Sequence, residues 1–98
     1  MNHQPDLFHN TIALEGEELK EAILACERQD DQVLIIMQAI GSGTPTDVLN
    51  KFPGSILKTS VRRALTDLVK LGHLRKTNIR VPGPYGKKEH LWEVRTQR

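Results

Sequence analysis

The sequence predicts a small α+β domain, mainly helical: a three-helix core closed by a C-terminal β-hairpin, with one additional helix in front. Three observations predict it. Apolar residues recur at helical spacing in four segments, each bounded by Gly, Pro, Thr or Asp. Beyond Gly72 the period changes to two. Charge also divides the chain. Residues 55–98 carry eleven Lys/Arg against three Asp/Glu, and residues 1–54 carry three against nine. The halves are therefore +8 and −6, which together give the formal +2 of the whole sequence.

A chain of 98 residues is one domain, able to bury a modest core without staples. Aromatic residues make up only 4%, so that core is expected to be aliphatic. Cys26 is the single cysteine, which rules out an intrachain disulfide and suits a reducing compartment. Its helical spacing marks it as a small apolar packing residue. The longest apolar run, 33–37, falls far short of the roughly 20 residues of a membrane span. The opening residues Met1-Asn2-His3-Gln4-Pro5-Asp6 lack the basic start of a secretory signal, so the expected location is cytoplasmic, on the nucleoid if the source is bacterial.

Residues 1–14 are expected to form a flexible arm ahead of a single domain over 15–98, docking through Leu7, Phe8, Ile12 and Leu14 at most. The additional helix is placed at about 17–29, because Leu19, Ala22, Ile23 and Cys26 follow i, i+3, i+4, i+7. Glu15, Glu17 and Glu18 sit at its start, where carboxylates favour the helix dipole. A second helix over about 31–40 is capped by Asp30 or Asp31. It is apolar nearly all round, so it should be central. Gly41-Ser42-Gly43 ends it. Thr44-Pro45 opens a third, short helix over about 45–52, Thr44 as cap and Pro45 in the first turn. Pro53-Gly54 stops that helix, and Ser55 is expected to cap a fourth over about 55–71, with Gly72 as its terminator.

On the fourth helix, at about 100° per residue, Leu57, Ala64, Leu65 and Leu68 fall within about 60° of Val61. They form the expected buried stripe. Opposite lie Thr59, Arg63, Thr66 and Lys70, flanked by Arg62 and Asp67. After Gly72, Arg75, Thr77, Ile79 and Val81 alternate with Lys76, Asn78 and Arg80. Pro82-Gly83-Pro84-Tyr85-Gly86 reads as a turn, and His90, Trp92 and Val94 share a face of the returning strand. The hairpin is expected over about 74–95, with Trp92 as its main core aromatic and Tyr85 covering its own turn.

The run Thr44-Pro45-Thr46-Asp47-Val48-Leu49, the run from Ser60 through Leu65 and Leu71 to Gly72-His73-Leu74, and the hairpin after it together resemble the winged helix-turn-helix DNA-binding superfamily. The resemblance covers about 31–95 and identifies the fold better than the target. It implies that the fourth helix is a recognition helix and the hairpin a wing. The additional N-terminal helix departs from a minimal winged helix. It either supplies a homodimer contact or covers the core of its own chain.

An α-helix fits the major groove of B-DNA, where Arg can donate two bonds to guanine and Thr can serve several bases. Thr59, Arg62, Arg63 and Thr66 are therefore the base-edge candidates. Thr44, Thr46, Lys58, Ser60, Lys70, Arg75 and Lys76 are the candidates for backbone phosphate, which sets register without reading sequence. Arg80, Lys87 and Lys88 are the wing contacts, along the backbone or in the minor groove.

His3, His9, His73 and His90 are scattered without zinc-ligand spacing, and no glycine set matches a phosphate loop. No nucleophile set or catalytic carboxylate pair is present, so neither an enzyme nor a cofactor or small-molecule effector is expected. The leading expectation is sequence-specific double-stranded DNA binding by a small bacterial or phage transcriptional regulator. The alternatives are a winged-helix protein-interaction module, or a replication or recombination accessory protein with little sequence preference.

Overall fold

The computed structural model describes residues 16–84 and 86–95; the expected arm over 1–14, Glu15, Tyr85 and the last three residues lie outside them. The elements run α1 (Gly16–Leu24), α2 (Gln29–Ile40), β1 (Ser42–Gly43), α3 (Pro45–Lys51), α4 (Lys58–Lys70), β2 (Leu74–Pro82) and β3 (Lys88–Val94). The three strands form one antiparallel sheet in the order β1-β3-β2. Among the described residues this is a mainly helical α+β architecture, compatible with a winged helix. No described helix is long and apolar enough to cross a membrane.

The core gathers on α2. Val33, Leu34, Ile35, Ile36 and Met37 are all buried, as a helix touched by α1, α3, α4, β1 and β3 requires. Around them pack Leu19 and Ile23 of α1, Val48 of α3, and Val61, Ala64, Leu65 and Leu68 of α4. Leu74 and Trp92 join from the sheet. Thus α1 covers the core of its own chain with its apolar stripe.

Several boundaries differ from the sequence reading. Helix α1 stops at Leu24, five residues early, where the Gln32 side-chain amide of α2 donates to the Ile23 and Cys26 carbonyls at 3.1 and 3.3 Å. Those bonds satisfy groups left open at a helix end. Cys26 therefore lies just past the helix, half-buried, with Sγ 3.5 Å from the Ala22 carbonyl. Helix α2 begins with Arg28 as its N-cap, and Asp30 and Asp31 sit in the first turn instead of capping it. Partial burial, then Asp67 on α4, pushes the Asp30 carboxyl up from its ordinary pKa.

The expected helix stop at 41–43 contains a strand. Ser42 pairs with Glu93 and Gly43 with Trp92, which adds a third strand to the hairpin. A Cβ on Gly43 would lie 2.6 Å from Ile40 Cδ1 and 3.2 Å from Asp47 Cβ, so glycine lets β1 lie against α2 and α3. Helix α3 opens as expected on a capping box: Thr44 Oγ1 accepts from the Asp47 N–H at 3.2 Å, and Asp47 Oδ2 accepts from the Thr44 N–H at 3.0 Å.

Helix α4 starts three residues later than expected. Leu57, not Ser55, is its N-cap, in extended conformation and without a side-chain cap bond. It is consequently 71% exposed and does not belong to the buried stripe. The helix closes in a Schellman arrangement, with His73 N–H on the Leu68 carbonyl at 2.9 Å and Gly72 N–H on Val69 at 3.0 Å. Gly72 takes φ +89°, a conformation that favours glycine.

Strict alternation fails in β2. Lys76 pairs with Trp92 and Arg80 with His90, so Thr77, Asn78 and Ile79 together face only Leu91. The Thr77 hydroxyl holds this bulge, donating to the Leu91 carbonyl at 2.7 Å and accepting the Ile79 N–H at 3.1 Å. Because the bulge adds two residues, Lys76 and Arg80 remain on one face with Trp92 and His90.

Candidate functional site

Between the first turns of α4 and the β2–β3 hairpin lies an open cleft of about 320 Å³. Lys58 and Arg62 line it from α4, one turn apart and therefore on one helix face. Lys76 lines it from β2, and Lys87, Lys88 and His90 from the returning side of the hairpin. Pro45 and Trp92 contribute apolar surface, and Glu89 is the one acid of the lining among the described residues. Lys76 Nζ stands 5.3 Å from the centre of the Trp92 ring, whose negative face favours a cation there. The His90 and Trp92 rings meet edge to face at 6.4 Å. The buried Trp92 Nε1 has no hydrogen-bond acceptor among the described residues.

Glu89 joins the three walls of this cleft. Its Oε2 accepts from Lys58 Nζ at 2.5 Å and from Thr46 Oγ1 at 2.7 Å, while Oε1 accepts from the Thr46 N–H at 3.2 Å. Burial alone would raise the Glu89 pKa. The hydrogen bonds from Lys58 and Thr46, with the Lys58 charge, outweigh burial and hold the carboxyl below its ordinary range. His90 is also held below its ordinary range, by partial burial first and then by Lys76 and Arg80.

The cleft brings together Lys58, Arg62, Lys76, Lys87 and Lys88 from the residues singled out in the sequence. Thr59, Arg63 and Lys70 are exposed on α4 but do not line it, and Ser60 is half-buried beside them. Thr66 is exposed, and its hydroxyl donates to the Arg62 carbonyl at 3.0 Å, one turn back. Arg80 is exposed on β2 across from His90, outside the cleft lining.

Four of the expected phosphate contacts are occupied within the protein. Thr44 is 4% exposed and spends its hydroxyl on the α3 cap. Thr46 gives both its N–H and its hydroxyl to Glu89. Lys58 is ion-paired to Glu89. Arg75 pairs across the strands with Glu93, outside the cleft. The roles of Glu89, His90 and Trp92 at the cleft were not read from the sequence. Glu89 did leave a signal: it is one of three acids among residues 55–98, directly after two lysines.

This arrangement can hold a polyanion: several cations from three elements converge on one concavity, and their charges are only partly neutralised. Among the described residues no group of three or more His, Cys, Asp or Glu is placed to hold a metal ion. Comparison with family models, curated proteins and solved structures found no match to this chain.

Proposed function

We propose that this chain is a winged helix-turn-helix protein that binds double-stranded DNA in a sequence-specific way, as a small transcriptional regulator does. Helix α4 is the recognition helix and the β2–β3 hairpin the wing. The observation that carries the reading is the cationic cleft between them, where Arg62, Lys76, Lys87 and Lys88 converge with no carboxylate ion pair among the described residues. Clustered cations release the counterions condensed on duplex phosphate, which drives association. The exposed face of α4, with Thr59, Arg62 and Arg63, supplies donors for base edges in the major groove. Lys70 and Arg80 lie at the periphery and serve the backbone.

Paired half-sites are read by two copies, so a homodimer belongs to this reading. Helix α1 has committed Leu19 and Ile23 to the chain's own core. What it retains for a partner copy is its exposed side, with Glu17, Glu18, Glu21 and Leu24, the last 59% exposed. Sedimentation of free and duplex-bound protein counts the copies.

Titration of a labelled mixed-sequence duplex, followed by selection of sites from random duplex, tests the function. The reading expects tight, salt-sensitive binding and enrichment of one motif. Binding without enrichment would point to an accessory protein with little sequence preference. No binding at low salt would sink the duplex reading and favour a protein-interaction module.

A further inference from the structure

We propose that Glu89 determines specificity at the duplex-binding surface, by fixing the wing to the recognition helix and by withholding Lys58 from phosphate. The inference rests on the duplex-binding reading and goes further, assigning a role to an acid at a surface whose ligand is itself acidic.

Three elements meet on this carboxylate. Lys58 opens α4, Thr46 lies in the first turn of α3, and Glu89 is on β3, so the bonds span 31 and 43 residues of chain. The turn of the hairpin closes on the same group: a Cβ on Gly83 would lie 2.9 Å from Glu89 Oε2 and 2.5 Å from the Lys87 carbonyl. The Glu89 side chain is 12% exposed, against 31% for Glu93, the other ion-paired acid of the hairpin, which lies outside the cleft. Shape and charge therefore act at one place.

The geometric consequence is a set spacing between α4 and the wing. Arg62 is one turn from Lys58, so its reach toward a base edge is referenced to the same anchor that holds Lys87 and Lys88. The electrostatic consequence is separate. A lysine neutralised by its own protein releases no phosphate counterion, and non-specific affinity grows with the number of phosphates neutralised. Glu89 thus lowers affinity for duplex in general while holding the geometry that a particular sequence needs. Thr46 and Lys58 are positioned by it instead of contacting phosphate themselves.

The test is duplex affinity over a salt series, for a selected site and for mixed sequence, with the thermal midpoint of each variant. Glu89→Gln keeps an acceptor oxygen for Thr46 and removes the charge. It is expected to steepen the slope of log affinity against log salt by about 0.9, one further phosphate. At low salt the mixed duplex should bind several-fold more tightly, and discrimination between site and mixed sequence should narrow. Adding Lys58→Ala to that variant should return the slope to the wild-type value. Lys58→Ala alone should leave the slope unchanged, which keeps the idea open to refutation even if Glu89→Gln fails to fold. An unchanged slope in Glu89→Gln, an equal loss of affinity for every duplex, or a shallower slope in Lys58→Ala overturns the role of Glu89 and leaves the duplex reading standing. Absence of duplex binding by the wild type removes both.

Discussion

Removing the two lysines at the tip of the wing, Lys87→Ala with Lys88→Ala, gives a prediction whose size follows from the cleft. Among the described residues five cations line it, and one of them, Lys58, is paired with Glu89. Arg62 is assigned to base edges, which leaves Lys76, Lys87 and Lys88 for phosphate, joined by Lys70 and Arg80 at the periphery. With about 0.9 counterions released per phosphate neutralised, those five give a slope of about −4.5 in log affinity against log salt. A fourfold rise in salt should then weaken duplex binding about 500-fold, and the double variant, with a slope of about −2.7, only about 40-fold. Both lysines are exposed, so folding should be little affected and the thermal midpoint should stay close to that of the wild type. Fluorescence anisotropy of a labelled duplex at four or five salt concentrations measures the two slopes. Equal slopes would show that the hairpin does not meet phosphate, and the cleft would lose its assigned role.

Other outcomes test the scaffold and the site. Leu65 is fully buried on α4, so Leu65→Ala should cost about 2–5 kcal/mol in urea unfolding; a loss below about 1 kcal/mol would place that face of α4 outside the core. Gly43→Ala should destabilise by about 1–3 kcal/mol, since the new methyl meets Ile40 and Asp47 where β1 is pressed on the helices. An indifferent thermal midpoint would argue against β1. His90 yields two opposite pH dependences. Its folded pKa is lowered, so the unfolded chain binds the proton more readily. Its contribution to stability is intact above the ordinary histidine pKa of about 6.5 and falls away as pH drops below it. A polyanion in the cleft favours the charged ring, so duplex binding should tighten over the same window as the free protein weakens. His90→Gln should flatten both curves, and a wild-type affinity independent of pH would separate His90 from the ligand.

The helical part of the fold was legible where burial follows a single helix. The all-round apolar character of α2 announced its central place, and Val61, Ala64, Leu65 and Leu68 are buried as their spacing predicted. Leu57 fits the same spacing by arithmetic, yet residues 55–57 are not helical, so the stripe was extended across a boundary that periodicity cannot see. Strand β1 has two residues, too few for alternation, and exists through its pairing with β3. The bulge in β2 depends on a bond from Thr77 to a carbonyl on the opposite strand. At the site, charge and spacing found Arg62, Lys76, Lys87 and Lys88. They did not show that Thr46 and Lys58 are bound to Glu89, because both bonds join parts of the sequence far apart.

The central claim is that duplex lies along the cleft between α4 and the hairpin. Backbone and side-chain chemical shifts, followed while unlabelled duplex is added to isotope-labelled protein, examine it most directly. The largest changes should fall on Arg62, Lys76, Lys87, Lys88 and His90, together with the indole of Trp92, the one tryptophan in the chain. Changes centred instead on the exposed acidic side of α1, or no changes at low salt, would contradict it.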